Sequence, residues 1–182
     1  RTTSFYRGYV MSRRLNRAEY INTIRDLFGV THDFQLEQLL PADGGGGEGF
    51  DTTGETLFTS SIHIEKYLAA AEQITQTILA DRTRGQSPEL RAARERILFR
   101  QPGRAQKPEA AAREVIAAFA RKAWRRPLLP EELSELMKVF ARANARGDSF
   151  AASVRLALQG VLISPHFLFL TEPEPAELLL EE

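Results

Sequence analysis

The chain has 182 residues, of which 43% are hydrophobic and 26% are charged, as in globular proteins that bury a substantial core. Its 24 basic residues balance its 24 acidic residues, so no net charge attracts nucleic acid or an anionic membrane. It contains no cysteine, which excludes a disulfide framework, a thiol nucleophile, a zinc–thiolate site and a covalent CxxCH haem attachment within these residues. We find neither an apolar run of about 18 residues nor a signal peptide. Because the sequence opens on Arg1 rather than Met, we expect it to be a segment of a longer protein.

The first strong element is a predicted helix that begins after Asn16 and ends before Gly29. Asn16 suits the N-cap, and Glu19 three residues later completes a capping box. Gly29 supplies the left-handed residue that ends many helices. At about 100° per residue, one face of this helix is apolar. That face contains Tyr20, Ile21, Ile24, Leu27 and Phe28.

The opposite face of this helix gathers two carboxylates and an amide, from Glu19, Asn22 and Asp26. The residue types alone favour a solvated face with a few ion pairs over a functional one. We also expect the helix to pack on both faces. On that expectation, Asp26→Ala and Arg25→Ala destabilise the fold more than they change any binding.

A second strong helix is predicted from about Ile62 to Ala80, with Ser61 as its N-cap. Its apolar face contains Ile64, Tyr67, Leu68, Ala71, Ile74, Ile78 and Leu79. Four further amphipathic helices follow, and we find no convincing strand. Their start signals are Ser87, Pro108, Pro130 and either Asp148 or Ser149. The second, third and fourth of these helices have stop signals at Pro127, Gly147 and Pro165, respectively.

These patterns predict an all-α, bundle-like fold of about six helices in two packed helical lobes. We divide the chain into an N-terminal helical module with a long Gly-rich loop (1–80), a helical linker region (81–107), a C-terminal helical module (108–170) and an acidic tail (171–182). The irregular stretch after Gly29 has room for a short helix at Phe34–Leu40.

The Gly-rich loop over residues 41–51 carries no Gly-Lys-Ser/Thr and opens no helix directly, so we reject a phosphate-binding loop. Asp43, Glu48 and Asp51 are oxygen ligands of the kind calcium prefers, but their spacing is not that of an EF-hand. We therefore predict no metal site. Phe50 is expected to anchor a flexible loop to the core.

A basic cluster with an aromatic residue closes the helix that starts at Pro108, over residues 121–126. Such a cluster invites a nucleic-acid hypothesis. Cations are also favourable at any helix C-terminus, and Trp124 continues a buried stripe. With zero net charge, we predict no nucleic-acid partner.

The two histidines that invite a functional hypothesis are His63 and His166. His63, alone in the first turn of its helix, is expected to be structural. His166 follows Pro165 and has apolar neighbours, so the favoured hypothesis is a buried histidine satisfied by a carbonyl group. The alternative is an axial haem ligand or a proton carrier.

Several stretches resemble motifs of a family of large exported planctomycete proteins, in which modules of unknown function accompany cytochrome c-like domains. Residues 14–29 resemble R-L-T-R-x-E-Y-x-N-T-V-R-D-L-x-G, residues 49–51 resemble Gly-Phe-Asp, and residues 119–128 resemble F-A-R-x-A-F-R-R-P-L. Residues 158–169 resemble L-Q-x-x-L-x-S-P-H-F-L-F. The residues singled out in these matches are Arg14, Arg17, Glu19, Tyr20, Asn22, Arg25, Asp26, Gly49, Phe50, Asp51, Arg125, Arg126, Pro127, Ser164, Pro165 and His166. The chain departs from the motifs in having Asn16 for Thr, Thr52 for Asn, Trp124 for Phe and Leu170 for Arg.

The resemblance implies a periplasmic or cell-envelope location, haem c in neighbouring modules, and partner domains on the same polypeptide. The first functional hypothesis is therefore a helical scaffold and interaction region that positions haem modules in a redox process. The second is part of an oxidoreductase or hydrolytic active site, with His166, Glu19 and Asp26 as catalytic candidates. Proximity of His166 to the first helix would favour this second hypothesis. The third is a carbohydrate-binding module, and it ranks last because its aromatics are predicted to be buried. These aromatics are Tyr20, Tyr67 and Trp124. The sequence does not decide whether the chain is an enzyme.

Overall fold

The computed structural model describes residues 13–40, 61–103 and 107–170, and these ranges are mainly helical. The helices are α1 (Arg17–Phe28), α2 (Leu36–Leu39), α3 (Ser61–Ile78), α4 (Pro88–Ile97), α5 (Pro108–Trp124), α6 (Pro130–Ala145), α7 (Phe150–Ile163) and α8 (Pro165–Leu168). The all-α prediction is confirmed. Within the described ranges, no helix combines the length and the hydropathy needed to cross a membrane.

The predicted caps form as expected at the ends of α1. Asn16 Oδ1 accepts a hydrogen bond from Glu19 N at 2.8 Å, and Asn16 N donates to Glu19 Oε2 at 2.9 Å. Gly29 ends the helix at φ +61°, in the left-handed region where glycine is favoured. Ser149 caps α7 in the same manner, because its Oγ accepts from Ala152 N at 3.1 Å.

Helix α7 lies at the centre and packs against α3, α5 and α6. Its inward side chains are fully buried, as the helical period predicts, and they include Val154, Leu158, Val161 and Leu162. One polar pair joins α7 to α3 within this core, where Gln159 Nε2 donates to Thr75 Oγ1 at 3.0 Å. Apolar side chains from both predicted lobes belong to a single core.

A small antiparallel pairing joins the two ends of the described chain. Strand β1 (Arg13–Arg14) pairs with β2 (Phe169–Leu170), with Arg13 opposite Leu170 and Arg14 opposite Phe169. The backbone contact continues to Leu15 N, which donates to Leu168 O at 2.8 Å. Our expectation of no convincing strand missed this pairing because two residues are too few to show an alternating pattern.

The prediction for the start of α3 is wrong in two respects. Ser61 lies inside the helix rather than before it. Ile64 and Leu68, predicted to be buried, are 52% and 37% exposed, whereas Tyr67 and Ile74 are buried. Leu68 is about 100° around the helix from Tyr67, at the edge of the stripe that faces the core. Ile64 lies in the first turn, where no described residue covers it sufficiently.

Several predictions concern residues outside the described ranges. They are the anchoring role of Phe50, the motif residues Gly49 and Asp51, the calcium alternative at Asp43 and Glu48, and the acidic tail over 171–182. The short helix predicted within Phe34–Leu40 is present as α2.

Cations from two other helices bind the C-terminus of α1. Lys122 Nζ donates to Leu27 O at 2.9 Å and to Asp26 O at 3.3 Å. Arg96 Nη2 donates to Phe28 O and to Gly29 O, both at 2.9 Å. Because the last carbonyls of a helix lack partners within it, these bonds fasten α1 to α4 and α5.

Gly29→Ala is expected to lower the free energy of unfolding by about 1–2 kcal/mol, because an L-residue is strained at positive φ. The added Cβ would also lie 2.9 Å from Arg96 Nη2 and push that side chain from the carbonyls it binds. Urea unfolding followed by circular dichroism measures the change. Gly160→Ala is the control, because its Cβ would meet Leu136 Cδ2 at an ordinary 3.5 Å. We expect that variant to be as stable as the parent or up to about 1 kcal/mol more stable. Equal losses in the two variants would contradict this account.

Candidate functional site

Residues from the two C-terminal motif stretches meet in a surface cluster formed by Trp124, Arg126, Glu132 and His166, which we call the His166 cluster. Arg126 holds the Glu132 carboxylate with both terminal nitrogens, with Nη1 3.0 Å from Oε2 and Nη2 2.5 Å from Oε1. His166 Nε2 lies 3.2 Å from Glu132 Oε1. The imidazole also packs on the indole of Trp124, with ring centroids 5.0 Å apart. The cluster therefore places an imidazole on a carboxylate that an arginine already holds.

Helix ends bring these side chains together. Helix α5 ends at Trp124, and Arg125 turns the chain with φ +57° before Pro127 is reached. Pro130 opens α6 and makes Glu132 its third residue, so Glu132 Oε2 also accepts from Leu129 N at 2.9 Å. Helix α7 holds the Trp124 side chain in place, because the indole N–H donates to Val161 O at 3.2 Å.

Charge is strongly localised in the cluster. Hydrogen bonds from Arg126 lower the pKa of Glu132 to about 2, against the opposing effect of burial. The same bonds raise the pKa of Arg126. The guanidinium also lies over the Trp124 ring, 5.4 Å from its centroid. At neutral pH the cluster thus contains a permanent ion pair beside the imidazole.

The His166 cluster predicts a pH dependence of stability. The Glu132 carboxyl has a pKa of 4.5 without these contacts and about 2 in the folded protein. Its contribution is therefore fully present above pH 4.5 and is lost as the pH falls toward 2. We expect this loss to be on the order of 2 kcal/mol, since the carboxylate keeps some contact with solvent. Urea unfolding at a series of pH values measures it.

The comparison for this pH series is Glu132→Gln, because the amide side chain of this variant is neutral at every pH of the series. The difference in stability between the parent and this variant should narrow between pH 5 and pH 2. Glu131→Gln makes the same substitution at the exposed neighbouring position and is the control for the loss of one acidic side chain from this helix end. A difference between the parent and Glu132→Gln that stays constant from pH 5 to pH 2 would contradict the assignment.

The expectation that His166 is buried against a carbonyl is wrong. Its side chain is 48% exposed, and its nearby acceptor is the Glu132 carboxylate. The cause is the one-turn helix α8, in which Phe167 and Leu168 are buried and His166 faces outward.

The other two catalytic candidates lie in different surroundings. Glu19 binds the backbone at the start of its own helix, through Asn16 N. Asp26 is exposed near Lys122, which donates to its backbone carbonyl. Since Asn22 is exposed as well, the expectation that α1 packs on both faces is wrong. Helix α8 approaches α1 through Phe167 and Tyr20, whose ring centroids are 5.7 Å apart, while His166 lies against α5 and α6.

The remaining residues of the first motif connect elements of the fold. Arg17 Nη1 donates to Glu37 O at 3.0 Å, which joins α1 to α2. The guanidinium of Arg14 lies over the Tyr67 ring, 5.8 Å from its centroid. Arg25 is half-buried beside the loop that leads to α2.

Tyr20 is fully buried between Tyr67 and Phe167, with ring centroids 5.2 Å and 5.7 Å away. Burial raises the pKa of its phenol, so the phenol stays neutral. No described residue forms a hydrogen bond with its hydroxyl group. A buried hydroxyl without a partner is unfavourable, so the ring rather than the hydroxyl accounts for the stability of this contact.

Tyr20→Phe is therefore expected to leave the stability unchanged or raise it by about 1 kcal/mol, because it removes only the unbonded hydroxyl. Thermal unfolding followed by circular dichroism is a sufficient measurement. A loss of more than about 1 kcal/mol would mean that the hydroxyl has a partner in solution, and would contradict this description of the site.

Glu132 is the site residue that the sequence analysis missed. From the sequence, Pro130 indicates only the start of a helix, and that pattern gives Glu132 no role of its own. The available signal was the position of Glu132 three residues after Leu129, where a carboxylate can bind the backbone N–H that precedes the helix. Its contacts with Arg126 and His166 depend on three separate helix ends, which the sequence does not bring together.

The described residues contain no group of three or more His, Asp or Glu side chains arranged to hold a metal ion. The imidazole of His166 is the group in the cluster that suits a ligand role toward iron.

Comparison with known families identifies two domains in this chain. Residues 13–80 match the family model PSD3, described as a protein of unknown function (DUF1587). Residues 111–172 match the family model PSD5, described as a protein of unknown function (DUF1595). No curated protein and no solved structure matches the chain.

Proposed function

We propose that this chain, with its PSD3 and PSD5 domains, is a helical scaffold of a larger exported protein. It positions neighbouring modules, cytochrome c-like modules among them, for a redox process. The observation that supports this proposal is the antiparallel pairing of Arg13–Arg14 with Phe169–Leu170.

This pairing gives the scaffold a defined geometry. Arg13 lies opposite Leu170, so the chain enters and leaves the described body at one point. Paired residues in an antiparallel ribbon are about 5 Å apart, so the segments that precede residue 13 and follow residue 170 leave the described body from neighbouring points. Holding two modules together raises their effective concentration for each other, without any chemistry in the scaffold.

The roles of the motif residues support the same proposal. Tyr20 of the PSD3 domain packs on Phe167 of the PSD5 domain, and Leu15 N binds Leu168 O. These contacts lie between the two domains, where they fix the domains in one arrangement. A protein that presents attached modules needs such an arrangement.

The test uses the full-length natural protein and a variant with ten Gly/Ser residues inserted after Leu170. The visible spectra of the oxidised and reduced forms should show haem bands, and the insertion should leave them unchanged. Electron transfer between modules should become slower in the variant, since a flexible linker lowers the effective concentration. An unchanged rate would overturn the scaffold proposal, and the absence of a haem band would overturn its cytochrome context.

A second candidate function is a part of an oxidoreductase site, with His166 as an axial haem ligand or a proton carrier. The observation that favours it is the carboxylate of Glu132 beside Nε2 of a half-exposed imidazole. Histidines that bind metals are typically held by a carboxylate through their other ring nitrogen. Haem would supply the redox chemistry and would belong to a neighbouring module, because this chain has no cysteine to attach it. A haem band altered by His166→Ala would support this candidate, and an unaltered band would favour the scaffold.

We do not propose the carbohydrate-binding alternative. Its aromatics, Tyr20, Tyr67 and Trp124, are buried, as the apolar stripes predicted. They form no exposed row on which sugar rings can stack.

A further inference from the structure

A cleft of about 660 Å³ opens between α4, the end of α6 and the start of α7. It shares no lining residue with the His166 cluster. Three arginines from these elements line it, namely Arg94, Arg146 and Arg155. Small-molecule sites typically have volumes of about 300–1,000 Å³, so the cleft is large enough for one.

Arg155 is the cation whose surroundings point to a ligand. Its side chain is only 20% exposed. Its Nη1 is 3.4 Å from Leu79 O and 3.8 Å from Asp81 Oδ2, which are long separations for the acceptors of a largely buried cation. A guanidinium has five N–H donors in a flat fork that matches an oxyanion. These two contacts involve only Nη1, so most of the N–H donors of Arg155 remain for another acceptor.

The other charges of the cleft are more firmly paired. Arg94 Nη1 donates to Ala80 O at 2.8 Å, and Arg146 Nη2 pairs with Asp148 Oδ2 at 2.8 Å. The carboxylate of Asp81 accepts from Ser149 Oγ at 2.8 Å. With three arginines and two aspartates, the cleft carries a net positive charge in a chain whose net charge is zero.

We propose that this cleft binds a small molecule through an oxyanion group, a carboxylate or a phosphate, held by Arg155 and Arg94. The fork of Arg155 binds the two oxygens of the anion, and the remaining donors of Arg94 complete the contact. The amide of Gln101 lies on the same walls and suits a hydroxyl group on the rest of the ligand. This proposal does not depend on the scaffold function.

The test is a titration of the ¹⁵N-labelled chain, followed by two-dimensional NMR. Inorganic phosphate is the probe in one arm and sodium glucuronate in the other, at constant ionic strength. We expect saturable shifts of the backbone amides of Phe150, Ala151 and Arg155 in at least one arm. Saturation by phosphate alone identifies a phosphate site, and saturation by glucuronate alone identifies a carboxylate site. Linear shifts spread over exposed arginines in both arms would overturn the proposal.

Variants then tie the binding to the cleft. Arg155→Lys keeps the charge but loses the fork, and should weaken binding about tenfold. Gln101→Trp leaves the arginines intact and occludes the cleft from an exposed position, and should also weaken binding about tenfold. Arg113→Gln removes an exposed arginine on α5, outside the cleft, and should leave the affinity unchanged. Equal affinity in all three variants would overturn the proposal.

Discussion

Phe167→Ala is expected to lower the free energy of unfolding by about 3–5 kcal/mol, the largest effect of a single substitution that this account predicts. Phe167 has no exposed surface, and its ring packs edge-on against Tyr20 at 5.7 Å. The substitution removes an aromatic contact between the PSD3 and PSD5 domains and leaves a cavity that the packed helices cannot fill.

Urea unfolding measures this loss, and Phe99→Ala is the matched control. Phe99 is 54% exposed, so the same chemical change removes much less buried surface. We expect the control to lie within about 0.5–1 kcal/mol of the parent. Comparable losses for the two phenylalanines would mean that Phe167 does not hold the domains together in solution.

Arg126→Gln is expected to lower the free energy of unfolding by about 2–3 kcal/mol. The Glu132 side chain is only 17% exposed, so it would lose its bidentate partner while remaining largely out of contact with water. The indole of Trp124 would also lose the guanidinium over its ring. Removing one member of a partly buried ion pair is costly, and here the carboxylate would keep only its contacts with Leu129 N and the His166 imidazole.

The control for this variant is Arg125→Gln, which makes the same change at an exposed neighbouring position. It should change the stability by no more than about 0.5 kcal/mol. The double variant Arg126→Gln/Glu132→Gln should recover part of the loss, because neither partner is then left as an unpaired charge. Full additivity of the two single losses would contradict a direct interaction.

Most of the fold could be predicted from the sequence, because its signals are local. Asn16, Glu19 and Gly29 specify both ends of α1, and the structure has the capping box at its start and the left-handed glycine at its end. The apolar stripe of α7 is equally clear, because nearly every inward position is aliphatic. Where the stripe was less definite, at Ile64 and Leu68 of α3, the prediction failed.

The candidate site could be predicted only in part. The motif residues Arg126 and His166 were named from the sequence, whereas Glu132 between them was missed. Their meeting depends on how the ends of α5, α6 and α8 pack, and no spacing along the chain encodes that arrangement. Likewise, the pairing of Arg13–Arg14 with Phe169–Leu170 joins residues more than 150 positions apart in the printed sequence. The sequence of either strand alone gives no signal for it.

The measurement that tests the central claim most directly is differential scanning calorimetry of the chain. The scaffold proposal requires that the PSD3 and PSD5 domains form one body, joined by a single core and by the pairing of their outer ends. We predict one transition whose calorimetric and van't Hoff enthalpies agree, and which Phe167→Ala shifts as a whole. Two separate transitions, with Phe167→Ala affecting only one of them, would contradict it.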